Sequence, residues 1–411
     1  MSDSLLQLDL NTENVTEFVD AMLGEALRLK ASDVHIEPMR HQCLVRFRLD
    51  GLLTDHASFP SEVHQTVSAR LKIMANIRLD EQRRPQDGRI ELSFAEGVSL
   101  RVSTMPTLYG EKIALRIIHE SSNDFSLASL GLSEAHQKII LRNVEKPFGL
   151  IVVCGPTGSG KTTTLYSLLA QYTKRSLNIS TLEDPIERSV PGVNQTQINP
   201  SVELNFPSGL RALLRQDPDV LMVGEIRDSE TMHMATNAAL TGHAVLTTLH
   251  TNDAPSAFTR FLEMKVEEFV ISSTVNLVIA QRLVRRVCGD CAKPQILDDH
   301  IVSKIVQRQD ILKIMKDKGL SIDKLKNAEF MVGVGCTNCR MTGFNGRVGV
   351  YELMEMNGTI REALFGRHST ESLRSIAEQF GFRALVYDAL EKVLAGTTTF
   401  SELLRITHYD D

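Results

Sequence analysis

The chain has 411 residues, too many for one ordinary domain, so two or three are expected. Apolar residues make up 42% and charged residues 23%, the balance of a protein that builds real cores, which excludes a disordered or fibrous chain. A formal net charge of −6 gives no global attraction to nucleic acid or anionic lipid, and no run of about 18 apolar residues exists to span a membrane.

The opening stretch, Met1-Ser-Asp-Ser-Leu-Leu-Gln-Leu-Asp-Leu10, is acidic where a secretory signal would be basic. Action in the cytosol, or at a cytosol-facing membrane surface, is therefore expected. Residues 13–30 and 61–74 carry apolar side chains at helical intervals. Residues 33–38 and 43–49 alternate like strands, with Asp50-Gly51 as a turn signal. A turn over 83–89 precedes further strand-like runs at 90–94, 99–103 and 112–118. This first unit reads as an α+β domain, and polar residues 120–124 are the expected linker.

The second unit alternates strand and helix, with strands expected at 150–154, 178–182, 220–223 and 244–249. Such alternation implies a parallel sheet with helices packed on it, whose ligands collect at the carboxyl ends of the strands. The first strand runs straight into Gly155-Pro-Thr-Gly-Ser-Gly-Lys-Thr162, a full G-x-x-x-x-G-K-[ST] match opening a helix. Gly155, Gly158 and Gly160 let the backbone curl so that N–H groups face phosphate oxygens. Pro156, Thr157 and Ser159 complete the loop, and Thr163 follows it into the helix. Lys161 is expected to reach the β- and γ-phosphates of a nucleoside triphosphate, and the Thr162 hydroxyl to ligate Mg²⁺.

Hydrolysis also needs an acid near Mg²⁺ and a group that orients or deprotonates water. Asp219 precedes an apolar strand but sits at the wrong end of the sheet, and reads as a cap. Glu225 stands at the proper end. Glu183, Asp184 and Glu187 all follow the second strand, and spacing alone does not choose among them. His250 closes the fourth strand; His243 is a weaker candidate.

From Ala280 the character changes. Cys288-Gly-Asp-Cys291 and Cys336-Thr-Asn-Cys339 bracket residues 292–335, and the remainder reads as mainly helical. Four thiolates in two knuckles fit a closed, structural Zn²⁺ site. Cys43 and Cys154 read as core residues. In the first unit Arg101 and Arg116 lie on strand-like segments, where an ion pair or a solvated face is the plain reading.

In order and spacing, the loop 155–162, Thr181-Leu-Glu-Asp-Pro-Ile-Glu187, Gly224-Glu-Ile-Arg-Asp228 and Thr241-Gly-His-Ala-Val-Leu-Thr-Thr-Leu-His-Thr251 resemble the Walker A, Asp, Walker B and His boxes of the secretion-superfamily ATPases. Ala31-Ser-Asp-Val-His-Ile-Glu-Pro38, Arg84-Pro-Gln-Asp-Gly-Arg89 and Arg101-Val-Ser-Thr-Met-Pro106 resemble that family's N-terminal domain, so the likeness covers most of the chain. It is strongest to the motors of type II secretion and type IV pilus assembly, the GspE and PilB type.

The resemblance implies a RecA-like P-loop motor domain with a parallel-rich sheet. A smaller α+β, PAS-like domain precedes it, and a zinc-binding insertion and a helical C-terminal region follow. Boundaries are expected at 1–120, 121–285, 286–342 and 343–411. By motif, Glu187 would be the catalytic carboxylate, Glu225 the Mg²⁺-linked acid, and His250 a contact to the γ-phosphate region. Arg101 and Arg116 would clamp nucleotide phosphates as the domains close, with Arg83, Arg84 and Arg89 as weaker candidates. The family's motors are ATP-driven homo-hexamers at the cytoplasmic face of the inner membrane, acting on assembly-platform proteins. Assembly motors carry the tetracysteine element and typical retraction motors lack it. Many members also carry a further N-terminal docking module, so this chain is expected to be a short or trimmed form. A nucleic-acid translocase on a related core is the alternative. The absence of tryptophan, 5% aromatics and the acidic balance argue against it. A nucleotide-gated adaptor without hydrolysis is a third class, disfavoured by the complete set of acids.

Overall fold

The computed structural model describes residues 14–95, 97–119, 126–365 and 369–407. The expected linker, 120–124, and the acidic segment 1–10 lie outside the described residues. The chain divides into two compact units, one ending at Asn123 and the other beginning at Asp124.

In the first unit six strands form an antiparallel sheet: β1 (Asp33–Pro38), β2 (Gln42–Leu49), β3 (Leu52–Pro60), β4 (Gln86–Glu91), β5 (Val98–Thr107) and β6 (Gly110–His119). Their spatial order is β3-β2-β1-β6-β5-β4. Every second residue of β1 is buried, and Val34, Ile36, Cys43, Val45 and Phe47 pack under helices Val15–Arg28 and His64–Met74. Cys43 is part of that core, and burial pushes its thiol up to about 11.

Two edges departed from expectation. β3 was not anticipated, because its exposed run Leu52-Leu-Thr-Asp-His lacks clean alternation. β4 begins inside the expected turn. Gly88 belongs to this strand because the chain passes close to Ala75, where a Cβ would lie 2.7 Å from the Ala75 carbonyl oxygen.

The second unit is built on a seven-stranded sheet of order β15-β12-β7-β11-β10-β8-β9. The strands are β7 (Gly149–Cys154), β8 (Ile179–Glu183), β9 (Asn194–Gln197), β10 (Val220–Val223), β11 (Ala244–Leu249), β12 (Val275–Val287) and β15 (Phe344–Glu355). All neighbours pair in parallel except β12 with β15. The four anticipated strands, β7, β8, β10 and β11, are buried throughout, as a sheet covered on both faces requires. Leu150 and Val152 face one core, with helices Ser229–Leu240 and Ala254–Glu263; Ile151 and Val153 face the other, with helix Lys161–Tyr172.

β12 was missed because its residues from Leu277 to Arg282 are buried without a break and the strand abuts helix Glu268–Thr274, so no period-2 signal marks it. It crosses the expected boundary at 285. Beyond it β13 (Ala292–Ile296) and β14 (Glu329–Gly333) pair around three short helices. Helices dominate from Gly358 onward, while β15 completes the seven-stranded sheet.

Candidate active site

The parallel order brings the carboxyl ends of β7, β11, β10 and β8 side by side, and four polar segments leave the sheet there. Gly155, Gly158 and Gly160 take φ of +150°, +78° and +89°, a path that side chains resist. The wall behind the loop is β12. A Cβ on Gly160 would meet the Gln281 amide nitrogen at 2.8 Å. Lys161 opens the helix and its Nζ donates to the carbonyls of Gly155 (2.8 Å) and Pro156 (3.1 Å). Burial draws the Lys161 ammonium below the usual lysine range, opposed in part by the Glu225 carboxylate.

The loop fits a polyphosphate. Pro156, Thr157 and Gly158 are exposed, and Thr162 and Thr163 are exposed at the start of the helix. Ser159 is 4% exposed, and its hydroxyl has no hydrogen-bond partner within the described structure. An orphaned donor inside a ring of backbone N–H groups is what a phosphate oxygen satisfies.

Gly224-Glu225 leaves β10 between its neighbours. Gly224 N–H donates to the Leu182 carbonyl (2.8 Å), and the Thr248 hydroxyl donates to the Gly224 carbonyl (2.7 Å). Thus pinned, Glu225 accepts from Arg227 at 2.6 Å and lies 3.4 Å from His250 Nε2. Glu225, His250 and Lys161 are brought together.

Asp228 and Asp253, from the same polar clusters, instead cap helices Ser229–Leu240 and Ala254–Glu263. Asp219 accepts from Asn178 N–H (2.7 Å) at the opposite end of the sheet, and His243 Nδ1 lies 2.9 Å from the Ala238 carbonyl.

Among the three acids at the end of β8 and in the loop beyond it, the structure separates one. Glu183 is 2% exposed and accepts from Tyr166 OH (2.5 Å), Thr181 Oγ1 (2.6 Å) and Gln195 Nε2 (2.9 Å). A carboxylate so fully engaged is not available to water. Asp184 is exposed and Glu187 half-buried.

Residues 9–405 match the model of the Type II/IV secretion system proteins. This chain belongs to that family. Type II secretion system protein E of Pectobacterium carotovorum is 42% identical over 409 residues, 99% of this chain and 78% of that protein. Type IV pilus assembly ATPase PilB of Myxococcus xanthus is 39% identical over 398 residues, 96% of this chain and 68% of that protein. The fold is shared with a pilus retraction motor, PilT, solved with bound ADP (24% identity, TM-score 0.62, covering 94% of this chain and 96% of that one). It is shared also with the Legionella pneumophila ATPase DotB (22%, TM-score 0.66, 95% of each chain).

In this secretion-family chain two buried residues join the site that motif reading passed over. Gln281 accepts from the Thr164 hydroxyl at 2.6 Å, and Tyr166 OH meets the loop carrying Glu187. Gln281 lies on the unrecognised strand β12, far from the motif in sequence. Tyr166 stood in plain view in the helix after the phosphate loop, with no spacing rule to mark it.

The same family member holds Cys288, Cys291, Cys336 and Cys339 with all four sulfurs within 4.8 Å of one another. Sulfur pairs at 3.6, 3.7 and 3.9 Å are too long for disulfides. Zn–S bonds of about 2.3 Å in a tetrahedron place sulfurs about 3.8 Å apart, so the donor set fits zinc and leaves no coordination position open.

In its first unit Arg116 and Arg101 are direct cross-strand partners, and Arg89 stands opposite Arg101. Asp33 stands opposite Arg116 and accepts from its Nε at 3.0 Å. Arg48 also lies 3.5 Å from Asp33, so one carboxylate serves two guanidinium groups on this face. Among the described residues no helix is long and apolar enough to cross a membrane.

Proposed function

We propose that this chain is an ATP-hydrolysing motor that powers assembly of type IV pili or type II secretion pseudopili through nucleotide-driven domain motion. The observation that carries the reading is the convergence of Lys161, Glu225 and His250 at one end of a parallel sheet, beside the loop that presents Glu187. Backbone N–H groups of residues 155–162, with Lys161, hold the phosphates. Thr162 and Glu225 would hold Mg²⁺, which supplies charge to the transferred phosphoryl group. Glu187 orients and deprotonates water, and His250 contacts the γ-phosphate region.

Arg101 and Arg116 supply the anion-seeking face of the first unit. Their engagement with phosphate makes the arrangement of the units depend on the nucleotide. The functional division we infer is residues 1–120 as the arginine-bearing domain and 121–285 as the motor. Residues 286–342 form the zinc-binding element and 343–411 the helical region, with β15 lending its edge to the motor sheet. The working form is a homo-hexamer at the cytoplasmic face of the inner membrane, acting on assembly-platform proteins.

The test is steady-state phosphate release from Mg²⁺-ATP by the purified wild type and by Arg101→Ala and Arg116→Ala, with and without single- and double-stranded nucleic acid. Expected is turnover indifferent to nucleic acid and reduced by roughly 10²-fold or more in each variant, the loss typical of a phosphate-clamping arginine. Turnover that depends on nucleic acid would transfer the chain to the translocases. Full activity in both variants would remove the arginines from the mechanism.

A further inference from the structure

The Glu187 loop, residues 184–193, is held from two directions. From β9, Gln197 Oε1 accepts the Ile186 N–H (3.3 Å), Gln195 Oε1 accepts the Val190 N–H (2.7 Å), and Gln195 Nε2 donates to the Arg188 carbonyl (2.9 Å). From the helix that begins at Lys161 comes one side chain, Tyr166. Its hydroxyl accepts the N–H groups of Glu187 (3.2 Å) and Arg188 (3.4 Å), while donating to Glu183 Oε2 (2.5 Å).

The hydroxyl thus connects the phosphate-binding helix to the backbone of the carboxylate loop. The donor–acceptor roles are fixed by chemistry. Two backbone N–H groups only donate, so the hydroxyl accepts from them and its own proton points at the Glu183 carboxyl oxygen. Burial and the neighbouring Glu183 both raise the pKa of Tyr166, which keeps that proton in place. The ring is 1% exposed, so its position follows that of the helix.

Tyr166 lies five residues beyond Lys161, about 7.5 Å along the axis. A displacement of the helix start on phosphate binding therefore reaches the Glu187 backbone through one rigid side chain. Gln195 and Gln197 give the loop its anchor to the neighbouring strand; Tyr166 gives it a register with the nucleotide.

We propose that Tyr166 is a positioning residue that sets the Glu187 carboxylate against the bound nucleotide, and that Glu183 is the buried acceptor that orients its hydroxyl. This rests on Glu187 being the water-orienting carboxylate. Tyr166 touches no reacting atom, so its loss should act on turnover and not on binding.

The test uses the full chain with Mg²⁺-ATP. Tyr166→Phe keeps the ring and removes the hydroxyl. Expected is a kcat about tenfold lower, the scale of one lost hydrogen bond compounded by misplacement of the loop. KM, nucleotide affinity and binding stoichiometry should stay within twofold. In the Glu187→Gln background the same change should alter the residual rate by less than twofold, because the group being positioned is gone.

Wild-type kcat in Tyr166→Phe, a rate loss that tracks lost binding stoichiometry, or an undiminished tenfold effect on top of Glu187→Gln would each overturn the proposal. Wild-type turnover in Glu187→Gln alone would instead overturn the Glu187 assignment. An inactive Glu187→Gln beside a fully active Tyr166→Phe overturns the Tyr166 link and leaves that assignment standing. Should Tyr166→Phe prove insoluble, Glu183→Gln replaces the charged acceptor with a neutral one of the same shape. It should lower kcat severalfold with nucleotide affinity unchanged, and unaltered kcat would count against the proposal.

Discussion

Lys161→Ala is expected to abolish ATP hydrolysis while leaving the fold in place. The loss should be roughly 10³-fold or greater, because the lysine is the one cation of the loop aimed at the phosphates, in a site where little water screens it. The fold should survive for a local reason. The ammonium is hydrogen-bonded to the carbonyls of Gly155 and Pro156, within its own loop. Its removal also takes away a buried positive charge whose desolvation opposes folding. Thermal unfolding should therefore shift by no more than about 2 kcal/mol of stability, because the two lost hydrogen bonds and the relieved burial of the charge act in opposite directions. Normal turnover in this variant, measured beside an unchanged melting curve, would contradict the site assignment.

Removing the metal from the cysteine cluster is expected to loosen the C-terminal part of the second unit. Chelation should release about one zinc per chain, since four thiolates at these separations form one closed tetrahedral set. Four-cysteine sites in small domains carry apparent zinc affinities of about 10–16 kcal/mol, so this loss exceeds that of any single contact nearby.

The damage should spread along β12, which ends beside the cluster. Val287 N–H donates to the Thr397 carbonyl (2.9 Å). Half-buried Arg285 pairs with the buried Glu402 of helix Phe400–Thr407 at 2.9 Å. Seven residues before Cys288 along the same chain stands Gln281, against the phosphate loop. Metal-free protein should melt earlier, and limited proteolysis should cut first within residues 288–343. A zinc-free preparation with unchanged thermal stability would refute a structural role for the cluster.

The legible parts of this chain were those with a short physical period or a fixed chemical spacing. β7 and β10 could be read as brief apolar runs ending in polar residues, and β8 and β11, which carry serine and threonine, by their place in the strand–helix alternation. The phosphate loop and the paired cysteines were legible because glycine geometry and thiolate coordination demand set intervals.

What stayed hidden depends on contacts between distant segments. β12 carries no alternation, being buried on both sides, and β15 joins it only across the whole insertion. Glu183, Asp184 and Glu187 could not be ranked by position. The difference appears when Tyr166, Thr181 and Gln195 close on Glu183 in the folded chain. The row Arg89–Arg101–Arg116 is likewise a matter of strand register, which places residues from three strands opposite one another.

The most direct test of the central claim, that the loop after β8 supplies the group that activates water at the phosphate loop, is a paired measurement on Glu187→Gln. Mg²⁺-ATP binding and single-turnover hydrolysis should be followed in the same preparation. Affinity within about threefold of the wild type is expected, because the phosphate loop is untouched. The hydrolysis rate should fall by roughly 10²–10³-fold, as for loss of a catalytic base. Binding and hydrolysis both at wild-type levels would contradict the account.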